Sequence, residues 1–355
     1  MPVAGVDYPA TFAQLRGWFP DDDACVAYLA RLRWPEGFCC PRCGGDEAWE
    51  TASGLWLCRS CRRKTSVTAG TIFHRSRLPL TDWFAAVWFV TAQKNGVSAL
   101  GLQRVLGLGS YRTAWTWMHK LRRAMVRPDR DRLGGPGHTV ELDETFVGGR
   151  SPGGKRARYE TKATVAIAVE RHHPRGLGRV RMRHLGPQRK IEITDFAVDA
   201  IAPGSVLYTD GAPHYSEITR NVDLVHEHIN LVASGAAGHA VLPAVHRVSS
   251  LLKRWLAGTL HHGQSITQLD YYLDEFTFRF NRRTSSSRGL LFYRLLQQAL
   301  NTDPYPYHDL TATPPRTQDV GVGPPKDIRH TYVGVWGSWC QGDRAGRSYV
   351  VGCGD

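Results

Sequence analysis

Apolar residues recur at helical spacing near both ends of the chain and in β-type runs between them, so the pattern predicts helices on either side of a sheet. "DDDACVAYLARLRW", from Asp21, predicts a short capped helix, and "LPLTDWFAAVWFVTAQKNG" a second, with Thr81 as N-cap and Gly96 as its stop. "VSALGLQRVLGLGSYRTAWTWMHKLRRAMV" divides into helices over 98–106 and 111–126 with a turn at 107–110. After the linker "RDRLGGPG" the period changes. "HTVELDETFVGG", "KATVAIAVE" and "GRVRMRHL" predict three strands, "RKIEITDFAVDA" a helix, and "SVLYTDGAPHY" a strand running into a turn. Two more helices follow. "LPAVHRVSSLLKRW" aligns Val245, Val248, Leu252 and Trp255 on an apolar face, and "LDYYLDEFTFRFNRR" aligns Leu269, Tyr272, Leu273, Phe276 and Phe280 as a core stripe. Beyond about residue 300 the Pro- and Gly-rich tail predicts loose structure and no readable role.

Charge narrows the partner. A net charge of +13 and a pI near 9.6 call for a polyanion. A membrane fits poorly, because the N-terminus lacks a basic region followed by an apolar run and the apolar stretch from Trp83 is too short to span a bilayer. The expectation is a soluble, bacterial-type intracellular protein, cytoplasmic and nucleoid-associated when on DNA.

Four cysteines sharpen this. Cys40 and Cys43 form one Cys-x-x-Cys pair and Cys58 and Cys61 another, 14 residues apart, which predicts a structural zinc site stapling a segment too small for its own core. Cys39 could compete with Cys40 but lacks the spacing to Cys43. Cys25, Cys340 and Cys353 read as plain thiols. From Cys58 to Arg77 there are six Lys or Arg and no acid, so Arg62, Arg63 and Lys64 are candidate phosphate contacts. The two helices around Gly107 match a helix-turn-helix, whose second helix would read DNA with Arg112, Lys120, Arg122 and Arg123. Arg279, Arg282 and Arg283, at the end of the aromatic helix, read as DNA-backbone contacts, and His261 and His262 as surface or phosphate contacts.

The candidate chemistry lies in the sheet. Glu141 and Asp143 share one face of their strand and Glu144 points to the other. Asp210 closes the strand "VLYT" at a Gly turn. One carboxylate on each of two core strands suits a divalent-metal site, in which two ions activate water and stabilise a leaving oxygen in phosphodiester cleavage. His246 and Lys253, seven residues apart, share a second face of their helix about 10 Å apart along the axis. "GGRSPGGKR" imitates a phosphate-binding P-loop, but Arg156 stands where the Mg²⁺-binding hydroxyl belongs and a strand follows, so it reads as a basic turn.

The order zinc ribbon, helix-turn-helix, "ELDETFVGG", "YTDGAPHY", "HRVSSLLKRW", "YYLDEFTFRFNRR" resembles bacterial insertion-sequence transposases of the DDE superfamily, in the group with an N-terminal zinc ribbon, over roughly residues 20 to 295. The resemblance implies a multidomain chain: helix and zinc ribbon over 1–76, helix-turn-helix over 77–132, an α/β ribonuclease-H-like catalytic domain with a mixed sheet over 136–300, and a tail over 301–355. It implies binding of terminal inverted repeats and target DNA, strand cleavage and strand transfer with Mg²⁺ or Mn²⁺, two ions per site, and a dimer or larger assembly on DNA. Asp143 and Asp210 match the first two catalytic positions, His246 the third, commonly Glu, and Lys253 the lysine seven residues on, with Arg254 beside it at the DNA. Glu227 and Glu275 are rival third acids. A neutral imidazole brings no charge, so Mn²⁺ should suit the site better than Mg²⁺ and mild acidification should weaken it. The alternative is a DNA-binding regulator on an inert catalytic fold.

Overall fold

The computed structural model describes residues 2–127, 130–148, 162–172, 176–228, 241–260 and 265–311. The basic turn from 149, His261, His262, Cys340, Cys353 and the tail from 312 lie outside them. The chain divides into two compact units, one built from Met1–Ala92, Arg127–Asp129 and Ser287–Asp355, the other from Gln93–Val126 and Arg130–Ser286.

In the first unit, α1 (Phe12–Trp18) and α2 (Asp22–Arg33) precede a three-stranded antiparallel sheet of β1 (Ala48–Glu50), β2 (Trp56–Cys58) and β3 (Lys64–Thr65). Asp21 caps α2 by accepting from the Ala24 N–H at 2.9 Å. Helix α3 (Leu80–Ala92) starts one residue before the expected cap. Thr81 is inside it, and its N–H donates to Asp22 Oδ1 at 3.1 Å, so the acid of α2 does the work expected of the threonine. Two late helices, α10 (Arg288–Leu300) and α11 (Tyr307–Thr311), complete this unit. The expected limits placed α3 with the helix-turn-helix and α10 with the catalytic domain. Both instead belong with the N-terminal elements, because Phe292 of α10 packs on Phe84 and Trp88 of α3 with ring centroids 5.7 and 5.8 Å apart, and Phe19 meets Phe84 at 4.6 Å.

The second unit opens with α4 (Ala99–Leu106) and α5 (Tyr111–Ala124). Ser98 caps α4, and Gly107 ends it in the left-handed region at φ 64°, where a side chain would be strained. Next come β4 (Leu133–Gly134), β5 (Thr139–Val147), β6 (Ala163–Arg171), β7 (Leu177–Leu185), α6 (Arg189–Ala200), β8 (Ile201–Ala202) and β9 (Val206–Thr209). A 3-10 turn (Pro213–Glu217) leads to α7 (Ile218–Asn221), β10 (Val225–His228), α8 (Pro243–Leu260) and α9 (Leu269–Asn281). The five-stranded sheet has the order β10-β9-β5-β6-β7. Strands β5, β6 and β7 are antiparallel neighbours, whereas β9 joins β5, and β10 joins β9, in parallel. The interior strand β6 is buried on both faces. Val165, Ile167 and Val169 pack under α8 and α9, while Ala166 and Ala168 face Ile193 and Phe196 of α6. The result is a mixed sheet covered by helices on both faces. Strand β10 was not anticipated: "VHEH" is mostly exposed and carries no apolar alternation.

Candidate active site and zinc ribbon

The alternation of β5 divides its polar residues between two tasks. Glu141, Asp143 and Thr145 face α8 as a ladder. Glu141 is fully buried and accepts from the N–H groups of Ala244 and Val245, at 2.8 and 3.0 Å, at the start of α8. Its second oxygen lies 3.3 Å from Arg171 Nε. Two residues on, Asp143 Oδ2 stands 4.0 Å from His246 Nε2. Two further, Thr145 Oγ1 meets Ser249 Oγ at 2.8 Å. The serine beside the imidazole is therefore a rung that seats the helix. On the opposite face Glu144 accepts from the Tyr215 hydroxyl at 2.6 Å and bonds His214 Nε2 at 3.0 Å, which ties the turn after Asp210 to β5.

Asp210 reaches the same place through register. The β5–β9 pairing ends at Glu141↔Tyr208, so Asp143 and Asp210 each lie two residues past the last pair, close enough for the Asp210 charge to act on Asp143. Asp210 Oδ1 accepts from the Ala212 N–H at 3.0 Å, and Gly211, at φ 78°, could not carry a Cβ, which would lie 2.9 Å from the His228 ring. Asp143 shows the strain of such crowding. Burial, then the negative charges of Glu144 and Asp210, push its pKa up to about 7, against the Glu144 N–H and His214, which lower it. A buried carboxylate with other acids beside it fits a place for a divalent cation, and two carboxylates with an imidazole are a donor set that takes Mg²⁺ or Mn²⁺. These three do not converge as closely as the cysteines do, whose four sulfurs are the only such cluster among the described residues.

Both rival acids are engaged with other partners. Glu227 lies exposed on β10 and takes a hydrogen bond from Tyr208. Glu275 is fully buried in α9 and accepts from Arg122 Nε at 2.8 Å. That pair also corrects the reading of Arg122 as a DNA contact. Its guanidinium is buried over the Tyr272 ring, 4.2 Å from the centroid, within hydrogen-bonding reach of His119. Arg112 is exposed, while Lys120 and Arg123 are half-buried on the same helix. Arg283 is likewise engaged: it donates to the carbonyls of Leu177 and Gly178 on β7 and lies over Phe280. Arg282 stacks on Phe278, and Arg279 donates to the Gln93 carbonyl. Lys253 and Arg254 stand exposed on α8.

In the ribbon, the four sulfurs of Cys40, Cys43, Cys58 and Cys61 lie within 4.8 Å of one another, with Cys40–Cys61 and Cys43–Cys58 both at 3.6 Å. Thiolates about 2.3 Å from one tetrahedral zinc stand roughly 3.8 Å apart, so the set fits that ion. Burial pushes the Cys40 thiol up, but the N–H groups of Arg42 and Cys43, with the thiols of Cys61 and Cys43, bring its pKa down to about 7. The same shared thiol bonds push Cys43 up to about 12, so protons are shared within the cluster. Cys39 is outside the cluster. Arg62, Arg63 and Lys64 are exposed beside it, Arg62 with its guanidinium over Trp49. Cys25 is buried, and burial pushes its thiol up to about 12, an inert group.

Two family models match the chain, a transposase zinc-ribbon domain over residues 20–64 and an ISXO2-like transposase domain over 132–281. The chain is thus similar to transposase domains both at its four cysteines and across the sheet that holds Asp143. A relative described as an uncharacterized protein in transposable element ISH50, from Halobacterium salinarum, is 26% identical over 285 residues, covering 74% of this chain and 91% of its own length. No solved structure matches. The transposase-domain match spans β4 to α9, so it takes in Asp143, Asp210, His246 and Lys253 together with the strands and helices that hold them. No helix among the described residues is long and apolar enough to cross a membrane.

Proposed function

We propose that this protein is a transposase that binds the terminal inverted repeats of its element and cuts and joins DNA strands at Asp143, Asp210 and His246. The observation that carries this reading is the approach of His246 to Asp143 at 4.0 Å, with Asp210 directly after the neighbouring parallel strand β9, inside the transposase-domain match. The strand order β7-β6-β5-β9-β10, three antiparallel and two parallel, supports a ribonuclease-H-like fold. Bound there, Mg²⁺ or Mn²⁺ would activate the attacking hydroxyl and stabilise the leaving oxygen. The chain's own residues do the positioning. Asp143 offers oxygen ligands from β5 and Asp210 from the turn just past β9, Glu141 anchors the helix that presents the imidazole, and Lys253 holds a phosphate of the strand being cut.

Helices α4 and α5 supply a helix-turn-helix contact through Arg112, with Lys120 and Arg123 on its flank, and the ribbon adds Arg62, Arg63 and Lys64. Arg254 extends the contact along α8, and Arg282 touches the backbone from the end of α9. Joining two ends calls for a homodimer or larger assembly on DNA, at the chromosome in the cytoplasm.

The test is nicking of a plasmid carrying the DNA that flanks the gene. Purified protein should nick at the element ends only with Mg²⁺ or Mn²⁺, faster with Mn²⁺. Asp143→Asn and Asp210→Asn should each lower the rate at least about a hundredfold, and His246→Ala should do so in Mg²⁺. Specific binding without nicking in any metal would leave a regulator instead.

A further inference from the structure

The rungs between β5 and α8 advance in the same direction on both elements: Glu141 to Ala244 and Val245, Asp143 to His246, Thr145 to Ser249. One helical turn beyond Ser249 stands Lys253, which the same progression carries toward the end of β5. Strand β6 begins there. Val147 pairs with Ala163, and the preceding residue, Lys162, lies against Gly148, with its Cγ 3.5 Å from where a Cβ on that glycine would be. Leu252 and Leu256 are buried with Val147, Ala163 and Val165, so the helix is fixed over this end of the two strands.

Two ammonium groups therefore share one rim of the site. Lys162 repels Lys253, while Asp143 attracts it. Among the described residues no ion pair joins either lysine to a carboxylate. Like charges held together cost free energy unless an anion comes between them, and a phosphodiester is such an anion.

We propose that Lys162 is a second phosphate-binding residue, paired with Lys253, and that the two grip one phosphodiester of the DNA strand lying across Asp143. This rests on the transposase reading for the identity of the strand, though the grip itself is read in binding alone.

The experiment uses the full chain with Asp143→Asn, so that the probe survives, and a short nicked DNA duplex carrying a fluorophore, titrated over a range of salt concentrations. Lys162→Ala should weaken binding about 3- to 10-fold and flatten the slope of log K against log salt by only part of the ~0.9 that one phosphate's counterions contribute, because Lys253 still holds that phosphate. Lys162→Arg should keep both. Lys162→Ala with Lys253→Ala should lose less than the product of the single losses, because the two share a phosphate. Unchanged affinity and slope in Lys162→Ala would overturn the proposal, and so would strictly multiplicative losses, which would put the lysines on separate phosphates. Nicking by the Asp143-intact chain reports separately on the transposase reading. If nicking fails while the lysine pattern appears, the grip stands and that reading falls; if nicking succeeds without the pattern, the reverse holds.

Discussion

Glu141 and Asp143 are two acids on one face of one strand, and their surroundings give them different work. Glu141 spends its carboxylate on two N–H groups at the head of α8, where the helix dipole also favours a negative charge. Glu141→Ala should lower stability by about 2–3 kcal/mol in urea unfolding, and Glu141→Gln, which keeps an acceptor, by about half of that. Arg122 makes the same point about helix faces. It falls four residues after Met118 in the last turn of α5, among Trp117, Leu121 and Met125, so the apolar periodicity already placed it inward. Its basic character outweighed its position in the sequence reading. An acid on the apolar stripe of α9, Glu275 between Tyr272 and Phe276, was the matching signal. Arg122→Ala should destabilise by about 3–5 kcal/mol by stranding Glu275, and adding Glu275→Leu should recover much of it, with the salt slope of DNA binding unchanged.

Elements were legible where a period ran through them. The strands of "VELDETF" and "ATVAIAVE", the helix over 189–200 and the stripe of α9 all follow from spacing, and so does the split of Glu141 and Asp143 from Glu144. The partners of α9 did not follow. Asn281 accepts from the Val180 N–H at 2.7 Å and donates to its carbonyl at 3.0 Å, Asp270 accepts from the His184 N–H at 3.0 Å, and Arg283 adds the two carbonyls at the start of the strand. These side-chain-to-backbone bonds join residues about a hundred positions apart and leave no trace in local periodicity. They occupy the free edge of β7, which would otherwise offer unpaired backbone groups to another chain. Asn281→Ala with Arg283→Ala should therefore raise self-association, seen as increased light scattering at constant DNA affinity. Equal scattering, or a loss of affinity, would return Arg283 to the DNA.

At the scale of the whole chain, the zinc ligands were readable from spacing because four thiolates need little else, whereas the limits of the units were not. Nothing local to residues 288–300 says that Phe292 belongs with Phe84 and Trp88. Removing zinc with a chelator, or Cys58→Ser, should open the segment from Cys40 to Thr65 to protease. The sheet of β5, β6 and β7, which has its own buried core, should stay resistant.

Because the first unit draws α10 from beyond residue 286, it cannot be finished as it leaves the ribosome. Synthesis runs from the N-terminus, so the aromatic surface of α2 and α3 emerges early and waits for a helix made almost 200 residues later. A chain arrested before Ser287 would leave that surface uncovered, and such fragments should depend on chaperones or precipitate.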